Sequence, residues 1–397
     1  MLRIASVVFS YYPADPRPKR EAECLAEAGM SVDVFCLRNE NELSKEKVNG
    51  VQVFRLPIKR RRNGMLMYFW QYGLFFSFAF LMLSLYHLRK HYHVIHIHNM
   101  PDFLVFSALI PRLTGAKIVL DLHDPMPEVF MTKYKKRASH PLIRLLKVQE
   151  KFSIRFASLV ITANVAFRDL FISRGCPIWK IKIIMNSPQE NIFTPDVDLL
   201  GSSDDDKFVI MFHGTIQEHQ GLDVALEAIA RVRKRIPELR FEIYGDGDDF
   251  LKQCLKRVDE LKLGDIVKYH GHKSLEEIAA AIRHIDLGIV PSKVTPFTSL
   301  NLPTRIFEYL SCEKPVIAPR TKGILDYFNE GSLIFFRAGD AADLSRTILK
   351  VYENFSKYKS VLARGTALYQ KYSWSSQRKL LIQLIRFGSV RSPELLF

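Results

Sequence analysis

The stretch TSLNLPTRIFEYLSCEKPVIA, residues 298 to 318, reads as a polar loop, then a helix, then a strand. Pro303 suits the opening turn of this helix, because the N–H group that proline lacks would have no partner there. Glu308 lies between Phe307 and Tyr309 on an otherwise apolar helical turn. We therefore expect its carboxylate to be partly buried and to need hydrogen-bond donors.

The beginning of the same helix predicts an anion site. It follows LGIVPS, residues 287 to 292, which is a predicted strand. The free N–H groups of its first turn and the positive end of its dipole would therefore attract an anion near the end of that strand. Arg305 lies three residues before Glu308, so it could pair with that carboxylate at the surface or bind a phosphate. From spacing alone, both interpretations stay open.

Strand and helix patterns alternate along the whole chain, which predicts the α/β class with parallel sheets covered by helices. A polar break, FTPDVDLLGSSDDDK at 193–207, separates two sets of strands, and we place a linker at about 188–206. We expect two Rossmann-like domains that face a central cleft, residues 1–190 and 205–372, and a C-terminal helix in 373–397 that crosses back to the first domain. The predicted strands are LRIASVVFS, SVDVFCL, VQVFRLP, HVIHIHN, KIVLDLHD, LVITAN and IKIIMNS, then FVIMFHG, LRFEIYGDG, IVKYHG, LGIVPS, PVIAP and SLIFF.

Length, charge and cysteine content narrow the class of protein. A chain of 397 residues is too long for one ordinary core, so two domains are expected. The net charge of +15 favours an electronegative partner, which could be a nucleotide phosphate, an anionic membrane surface or a nucleic acid. Five scattered cysteines without a C-x-x-C pair argue against a disulfide framework and a structural zinc site, and a reducing cytosol fits best.

Residues 65–85, MLMYFWQYGLFFSFAFLMLSL, form an uncharged segment that is long enough to cross a bilayer. Basic residues flank it, Lys59 to Arg62 before it and Arg89 and Lys90 after it. The predicted strands on either side belong to one sheet, however, and a single crossing would put them on opposite sides of the membrane. Two interpretations stay open for 59–90: a partly buried core helix, or an in-plane helix whose apolar face enters lipid beside a basic patch.

Three stretches together resemble a known family. The run GIVPSKVTPFTSLNLPTRIFEYLSCEKPVIAP at 288–319 resembles the donor-binding segment of the retaining GT-B glycosyltransferases of family 4, especially the bacterial branch that builds surface polysaccharides. The resemblance continues through HIHNMPDFLVFSALIPRLTGAKIVLDLHDPMPE at 96–128 and FHGTIQEHQGLDVALEAIA at 212–230, and so covers nearly the whole chain. It implies a GT-B fold and transfer of a sugar from a nucleotide-diphospho-sugar, UDP- or GDP-linked, to a glycan acceptor.

The resemblance also implies donor-binding residues, with two departures from the family pattern. The family has a Glu-x7-Glu pair, in which the first glutamate contacts the donor sugar and the second holds the ribose. Glu308 matches the second glutamate. Leu300 stands at the place of the first, so the contact with the donor sugar is missing or has moved to Ser299 or Asn301. Thr215 and Gln220 stand where the family has Arg and Lys for the diphosphate, and we expect Arg305, the helix end and His219 to replace them. The donor-binding residues expected are Gly214, Thr215, Gln220, Gly245, Gly247, Gly271, Ser299, Leu300, Asn301, Pro303 and Thr304.

The first domain is expected to hold the acceptor. The family has a histidine at the place of His123 that contacts the donor sugar, so His123 joins Glu308 and Arg305 as a predicted catalytic-site residue. The resemblance implies front-face displacement, in which the donor diphosphate helps to deprotonate the acceptor, so no protein nucleophile is required. The acceptor-binding residues expected are Arg17, His98, Asn99, Asp124 and Glu128. Surface charge is an equally good interpretation of Arg17.

We therefore predict a retaining hexosyltransferase of surface-polysaccharide or lipopolysaccharide biosynthesis, peripheral on the cytoplasmic face of the cell membrane, with a lipid-linked acceptor and no metal or cofactor. One alternative is a metal-dependent hydrolase of the amidohydrolase type, suggested by His96-x-His98, Asp121-x-His123, and later His213, His270 and Asp286. Another is a non-hydrolysing sugar-nucleotide epimerase on the same fold. A nucleic-acid-binding protein is disfavoured, because the basic residues are dispersed and carry no recognised motif.

Overall fold

The computed structural model describes residues 1–59, 64–195 and 207–388, and the chain divides into two compact units. The first unit comprises Met1–Asn186 and the chain from Ser376 onward, and the second comprises Ser187–Ser375. The beginning of the predicted linker is anchored within the second unit, where Glu190 accepts a hydrogen bond from the Ser375 hydroxyl (2.6 Å) and Phe193 is buried. The rest of that linker, 196–206, lies outside the described residues, as do residues 60–62 of the predicted basic flank.

The first unit is built on an eight-stranded sheet with the strand order β3-β4-β2-β1-β5-β6-β7-β8. All neighbouring strands are parallel except β3 and β4. The strands are β1 Arg3–Tyr11, β2 Ser31–Leu37, β3 Lys45–Val48, β4 Val51–Leu56, β5 Val94–His98, β6 Lys117–Leu122, β7 Leu159–Thr162 and β8 Ile181–Ile183. The helices are α1 Pro16–Glu27, α2 Gly64–Lys90, α3 Leu109–Leu113, α4 Met126–Lys133, α5 Pro141–Phe156 and α6 Val165–Ser173.

Every strand predicted for the first half is present, and β3 is an additional one. Its sequence, KEKV, has no apolar run, and its side chains are exposed or half-buried, so periodicity could not reveal it. It forms a hairpin with β4 through Asn49 and Gly50, both with positive φ (46° and 84°). Asn-Gly between two strands is a strong hairpin signal, and it is the feature of the sequence from which β3 could have been predicted.

The second unit is built on a six-stranded parallel sheet with the order β11-β10-β9-β12-β13-β14. Its strands all match predicted ones, and a capping box of Ser274 and Glu277 starts α9. The strands are β9 Phe208–His213, β10 Leu239–Tyr244, β11 Val267–Tyr269, β12 Leu287–Ile289, β13 Val316–Pro319 and β14 Ile334–Phe336. The helices are α7 Leu222–Val232, α8 Asp249–Glu260, α9 Leu275–Arg283, α10 Thr304–Ser311, α11 Lys322–Leu325, α12 Ala341–Glu353 and α13 Phe355–Lys371, and the last helix of the chain is α14 Trp374–Phe387.

Helix α14 begins in the second unit and continues into the first, where hydrogen bonds hold it. Lys117 donates from Nζ to the main-chain carbonyl of Leu384 (3.1 Å), and Gln377 accepts from the N–H of Met185 (2.8 Å). Leu381, Leu384 and Ile385 are buried, so one apolar stripe of the helix belongs to the first core.

Helix α2 contains the uncharged segment 65–85 and buries one stripe against the sheet. Tyr72, Phe75, Ala79 and Leu83 are buried, and the first two contact the Phe9 ring of β1 at centroid distances of 4.8 and 5.2 Å. Among the described residues, Phe69–Lys90 has the length and composition of a membrane span. The strands before and after α2, β4 and β5, lie in the same sheet, which is inconsistent with a single crossing. Its exposed apolar side chains are Met67, Trp70, Phe78, Leu81, Leu85 and Leu88.

Candidate functional site

The loops that follow β9, β10 and β11 are hydrogen-bonded to one another at the carboxyl ends of the strands. The N–H of Gly214 donates to the carbonyl of Tyr244 (3.1 Å), and the N–H of Gly245 donates to the carbonyl of Gly271 (2.8 Å). A third bond joins the N–H of Ile216 to the carbonyl of Asp246 (2.8 Å). Three of the glycines predicted for the donor therefore lie together, at the edge of the sheet where ligands of such folds bind.

Two positions in these loops require glycine. Gly245 has φ 139°, and a Cβ atom there would lie 1.9 Å from the carbonyl oxygen of Gly214. Gly221, which precedes α7, has φ 75°, and its Cβ would lie 2.0 Å from the carbonyl oxygen of Pro291. The close approach of neighbouring main chains, which only glycine allows, thus brings the loops together.

Arg305 lies in the first turn of α10 and is buried. Its Nη1 donates to the main-chain carbonyl of His213 (2.9 Å), its Nη2 donates to the side-chain oxygen of Gln220, and its guanidinium lies over the Phe212 ring, 5.0 Å from the centroid. The spacing had left open a surface ion pair between Arg305 and Glu308, and this interpretation is therefore wrong. Arg305 instead lies beneath the loop that carries Gln220.

Glu308 is half-buried, as its flanking aromatic residues predicted, and its Oε2 lies 3.4 Å from Nε2 of His213. His213 is buried, and burial, with a smaller contribution from the charge of Arg305, lowers its pKa to about 3. The ring is therefore neutral near pH 7. Glu308 thus contacts a neutral imidazole at the end of β9.

His219 does not supply the positive charge that was expected of it. Burial, and then the nearby charge of Arg305, lower its pKa to about 4. Without a bound donor its ring is therefore uncharged at neutral pH, and His219 can contribute to the donor site only through a hydrogen bond. Arg305 remains charged, since a guanidinium keeps its proton even when burial lowers its pKa.

The loop before α10 carries the residues expected near the donor sugar. The Ser299 hydroxyl donates to the carbonyl of Thr295 (2.6 Å), and the Ser299 carbonyl accepts from the N–H of Gly323 (3.0 Å). Leu300 and Asn301 each donate their N–H to the carbonyl of Phe297 (3.0 Å each). The Ser299 hydroxyl proton is thus engaged, but its oxygen can still accept a hydrogen bond, so both Ser299 and Asn301 stay predictions for the residue that replaces the missing glutamate. Pro303 caps the helix and Thr304 is its first residue, both half-buried.

In the first unit, Arg17 does not lie at the surface and does not face an acceptor. It is buried in α1 and forks onto the Asp121 carboxylate, with Nε and Nη2 at 2.7 and 3.0 Å from the two oxygens. Its Nη1 donates to the carbonyl of Ile184 (3.2 Å). Both earlier interpretations, an acceptor-phosphate ligand and a surface charge, are therefore wrong, because all three bonds hold the guanidinium inside the unit.

Three further predicted acceptor residues are engaged within the first unit. His98 is fully buried, and its Nε2 lies 3.1 Å from the Ser6 hydroxyl. Glu128 is buried and paired with Arg174. Asn99 donates to the carboxylate of Asp102 (3.1 Å) and to the carbonyl of Asp124 (2.6 Å). His98 and Glu128 are therefore structural rather than acceptor-binding, and Asn99 supports the Asp124 loop.

Among the residues predicted for the site in the first unit, His123 and Asp124 are half-buried and so remain accessible. Both follow β6. The side chain of His123 is 25% exposed, with Nδ1 3.8 Å from the Asp121 carboxylate. Although burial opposes it, the interaction with Asp121 raises the pKa of His123, while burial raises the pKa of Asp124. Both side chains are therefore more readily protonated than in free solution.

Two protein-family models match the chain. A "Glycosyl transferase 4-like domain" matches residues 16–187, and "Glycosyl transferases group 1" matches residues 201–366, so most of the chain is covered. The chain belongs to the family 4-like GT-B glycosyltransferases.

Known proteins similar to this glycosyltransferase agree with its fold. The D-inositol 3-phosphate glycosyltransferase of Thermomonospora curvata is 23% identical over 91% of this chain and 88% of its own. Sucrose-phosphate synthase from Thermosynechococcus elongatus superposes with a TM-score of 0.77 at 19% identity, over 97% of this chain and 98% of that one. HepE of Anabaena, in complex with UDP and glucose, superposes with a TM-score of 0.71 at 17% identity, over 97% and 99%. The chain spans about half or less of the length of the first curated relatives it matches, 44%, 54% and 30%.

The fold of the glycosyltransferase excludes the amidohydrolase alternative. That class is a single closed barrel of eight parallel strands, whereas this chain has separate sheets of eight and six strands. The histidines of the alternative are also divided: His96, His98 and His123 belong to the first unit, and His213 and His270 to the second.

Proposed function

We propose that this glycosyltransferase moves a sugar from a nucleotide-diphospho-sugar to a glycan acceptor, with retention of configuration at the anomeric carbon. The observation that carries the proposal is the half-buried carboxylate of Glu308 beside the buried Arg305 at the strand ends of the second unit. A carboxylate at such a position accepts hydrogen bonds from the two neighbouring hydroxyls of a ribose. The UDP and glucose bound to HepE, a protein of the same fold, support this class of donor.

The donor diphosphate is assigned to the beginning of α10 and to Arg305. Among the described residues, no side chain caps the first turn of this helix after Pro303, and a helix end of this kind favours an anion. Arg305 adds a full charge that burial leaves poorly hydrated, which strengthens its attraction for phosphate. Because these groups supply the positive charge, our proposal places no divalent metal at the diphosphate.

His123 and Asp124 of the first unit are assigned to the transfer step. The Asp121 carboxylate holds His123 in place and favours its protonated ring, which can then donate to a hydroxyl of the transferred sugar. Asp124 positions the acceptor hydroxyl, whose proton passes to an oxygen of the leaving diphosphate. The reaction then needs no protein nucleophile, in keeping with retention by front-face displacement.

A lipid-linked acceptor at the cytoplasmic face of the membrane, in the synthesis of a surface polysaccharide, completes the proposal. Two exposed helical faces of the first unit support it. Helix α2 exposes Trp70, Leu81 and Leu85, and α5 exposes Leu145 and Phe152. On α5 the apolar side chains alternate with the basic residues Arg144, Lys147 and Lys151. Apolar side chains among basic ones are typical of a helix that lies in an anionic membrane surface.

The experiment compares thermal unfolding of the wild type and of Glu308→Gln with UDP-, GDP- and ADP-sugars. One nucleotide series is expected to raise the midpoint of the wild type, and the isosteric variant should lose most of that rise, because the amide is a weaker acceptor for the ribose. Incubation with membrane lipids and NMR of the product then identify the transferred anomer. Interconversion of the nucleotide-sugar without transfer would instead identify an epimerase, and no response to any nucleotide-sugar would reject the proposal.

A further inference from the structure

Four side chains of types that commonly bind metals meet inside the first unit. They are Glu21 of α1, His96 and His98 of β5, and Asp121 of β6, and each is at most 1% exposed. One nitrogen or oxygen atom from each lies within 4.8 Å of the corresponding atom of every other. We name these four residues the H-x-H cluster.

The sequence places these side chains together in a simple way. His96 and His98 are two residues apart on β5 and therefore point to the same face of the sheet. Strand β6 runs parallel to β5 with Asp121 opposite His98. Glu21 lies on α1 one turn after Arg17, and α1 follows β1, the other neighbour of β5. Three separate elements thus converge on one point in the core.

The separations between the donor atoms are those of a coordination sphere. His98 Nδ1 lies 3.3 Å from Asp121 Oδ2 and 3.9 Å from Glu21 Oε2, and His96 Nε2 lies 3.7 Å from Glu21 Oε2. For metal–ligand bonds of about 2.1 Å, the ligand atoms of a tetrahedral zinc ion are about 3.4 Å apart. The separations of 3.7 and 3.9 Å are too long for hydrogen bonds, the separation of 3.3 Å is within hydrogen-bond distance, and all three are close to this value.

The same atoms lack hydrogen-bond partners. Among the described residues, no hydrogen bond reaches His96 Nε2, His98 Nδ1 or either carboxylate oxygen of Glu21, although all are buried. Buried polar atoms without partners are costly, and a group of them facing one another requires an explanation. A cation bound between them would engage all of them at once.

Neighbouring side chains orient His98 and Asp121 in the way that proteins usually orient the ligands of a metal ion. His98 Nε2 lies 3.1 Å from the Ser6 hydroxyl, and a proton on that nitrogen leaves Nδ1 unprotonated toward the cluster. Arg17 forks onto the carboxylate of Asp121, which orients it and still leaves each oxygen a lone pair. The same Nε lies 3.2 Å from Glu21 Oε1, so Arg17 contacts both carboxylates, but its single positive charge equals only one of their two negative charges when both are ionised.

We propose that the H-x-H cluster binds one Zn²⁺ ion, which joins α1 to β5 and β6. Two imidazoles and two carboxylates form a donor set that suits zinc better than Mg²⁺, which prefers oxygen ligands and keeps several waters. The site is structural, because four protein ligands close the tetrahedral coordination sphere and leave no position for substrate. It lies in the first unit and does not depend on the donor assignment in the second.

The test uses the full chain, purified without a polyhistidine tag, and measures zinc per chain by mass spectrometry of the metal. About one zinc per chain is expected in the wild type, and its content should fall to background in His96→Gln/His98→Gln. The matched control is His284→Gln, which removes an exposed histidine of the second unit and should retain the metal. After dialysis against a chelator, Zn²⁺ should raise the thermal midpoint of the wild type until one equivalent has been added, whereas Mg²⁺ should not.

A second variant covers the case in which the double histidine variant does not fold. Glu21→Gln keeps the size of the side chain and three of the four ligands, so it should fold and bind zinc at least tenfold more weakly. The proposal is overturned if the wild type holds no stoichiometric zinc and shows no saturable response to it, if the double histidine variant keeps the wild-type zinc content, or if Glu21→Gln keeps the wild-type affinity for zinc.

Discussion

Arg305 donates from Nη1 to the main-chain carbonyl of His213 over 2.9 Å, although the two residues are 92 positions apart in the sequence. This bond joins the first turn of α10 to the end of β9. The same guanidinium reaches Gln220, which stands where the family has a lysine. The charge of Arg305 is thereby brought to the loop that, in the family, carries its own positive residues.

Replacement of Arg305 should impair the use of the donor. We expect Arg305→Ala to lower kcat/KM about 10²- to 10³-fold, through a higher donor KM and a lower kcat, because the leaving diphosphate loses its main positive partner. Arg305→Lys keeps the charge but loses the two-pronged contact with His213 and Gln220, so it should recover only part of the activity. Steady-state kinetics with thermal unfolding as a control for folding distinguish these effects. Unchanged kinetics in Arg305→Ala would remove Arg305 from the donor site.

Restoration of the family's lysine at position 220 should not restore a stronger donor site. In this chain the Gln220 oxygen accepts from Arg305, so Gln220→Lys replaces an acceptor with a second cation beside a buried one. We expect a lower thermal midpoint and a donor KM no better than that of the wild type. Gln220→Glu, which keeps an acceptor, is the matched variant and should be the more stable of the two. A Gln220→Lys enzyme with tighter donor binding and unchanged stability would show that Arg305 and Gln220 are not coupled.

The sequence predicted the fold well, because its parallel strands are buried apolar runs that periodicity reveals. Strand β3 was not predicted because it is polar and has no apolar run. Its pairing with β4, rather than burial of its side chains, holds it in the sheet. Glu308 was predicted correctly as half-buried, because its neighbours Phe307 and Tyr309 mark a helix face that must be covered.

The charged residues of the first unit were predicted less well. Arg17, His98 and Glu128 are polar residues near strand ends, where surface ligand roles are the usual interpretation, yet each is buried. Their burial depends on partners remote in sequence: Asp121 for Arg17, Ser6 for His98 and Arg174 for Glu128. Local pattern carries no information about such pairs. The i,i+4 spacing of Arg17 and Glu21 was the one local signal that a buried ion pair begins on α1.

The buried His213 should make the chain less stable in acid. Its folded pKa, about 3, lies below the value of about 6.5 expected in the unfolded chain, so the unfolded chain binds more protons between these values. Stability is therefore complete above pH 6.5 and falls as pH decreases toward 3, by about 1.4 kcal/mol per pH unit for one such histidine. His213→Gln should flatten this fall, whereas His284→Gln, at an exposed site, should not. Thermal unfolding of the three proteins from pH 7 to pH 4 provides the measurement, and parallel curves would contradict a neutral, buried His213.

The exposed apolar side chains of α2 and α5 should determine whether the enzyme binds membranes. We expect the wild type to sediment with vesicles that contain anionic lipid, more strongly than with zwitterionic ones, and to be released by salt, because the basic residues of α5 act through screened charges. Trp70→Glu and Phe152→Glu remove exposed apolar groups, 66% and 59% exposed, and place a negative charge in each helical face, so each should lower the bound fraction several-fold without a loss of thermal stability. Leu325→Glu makes the same kind of change in the second unit and should leave vesicle binding unaltered. Equal sedimentation of all four proteins would show that these faces do not touch lipid, and the acceptor would then have to reach the enzyme in solution.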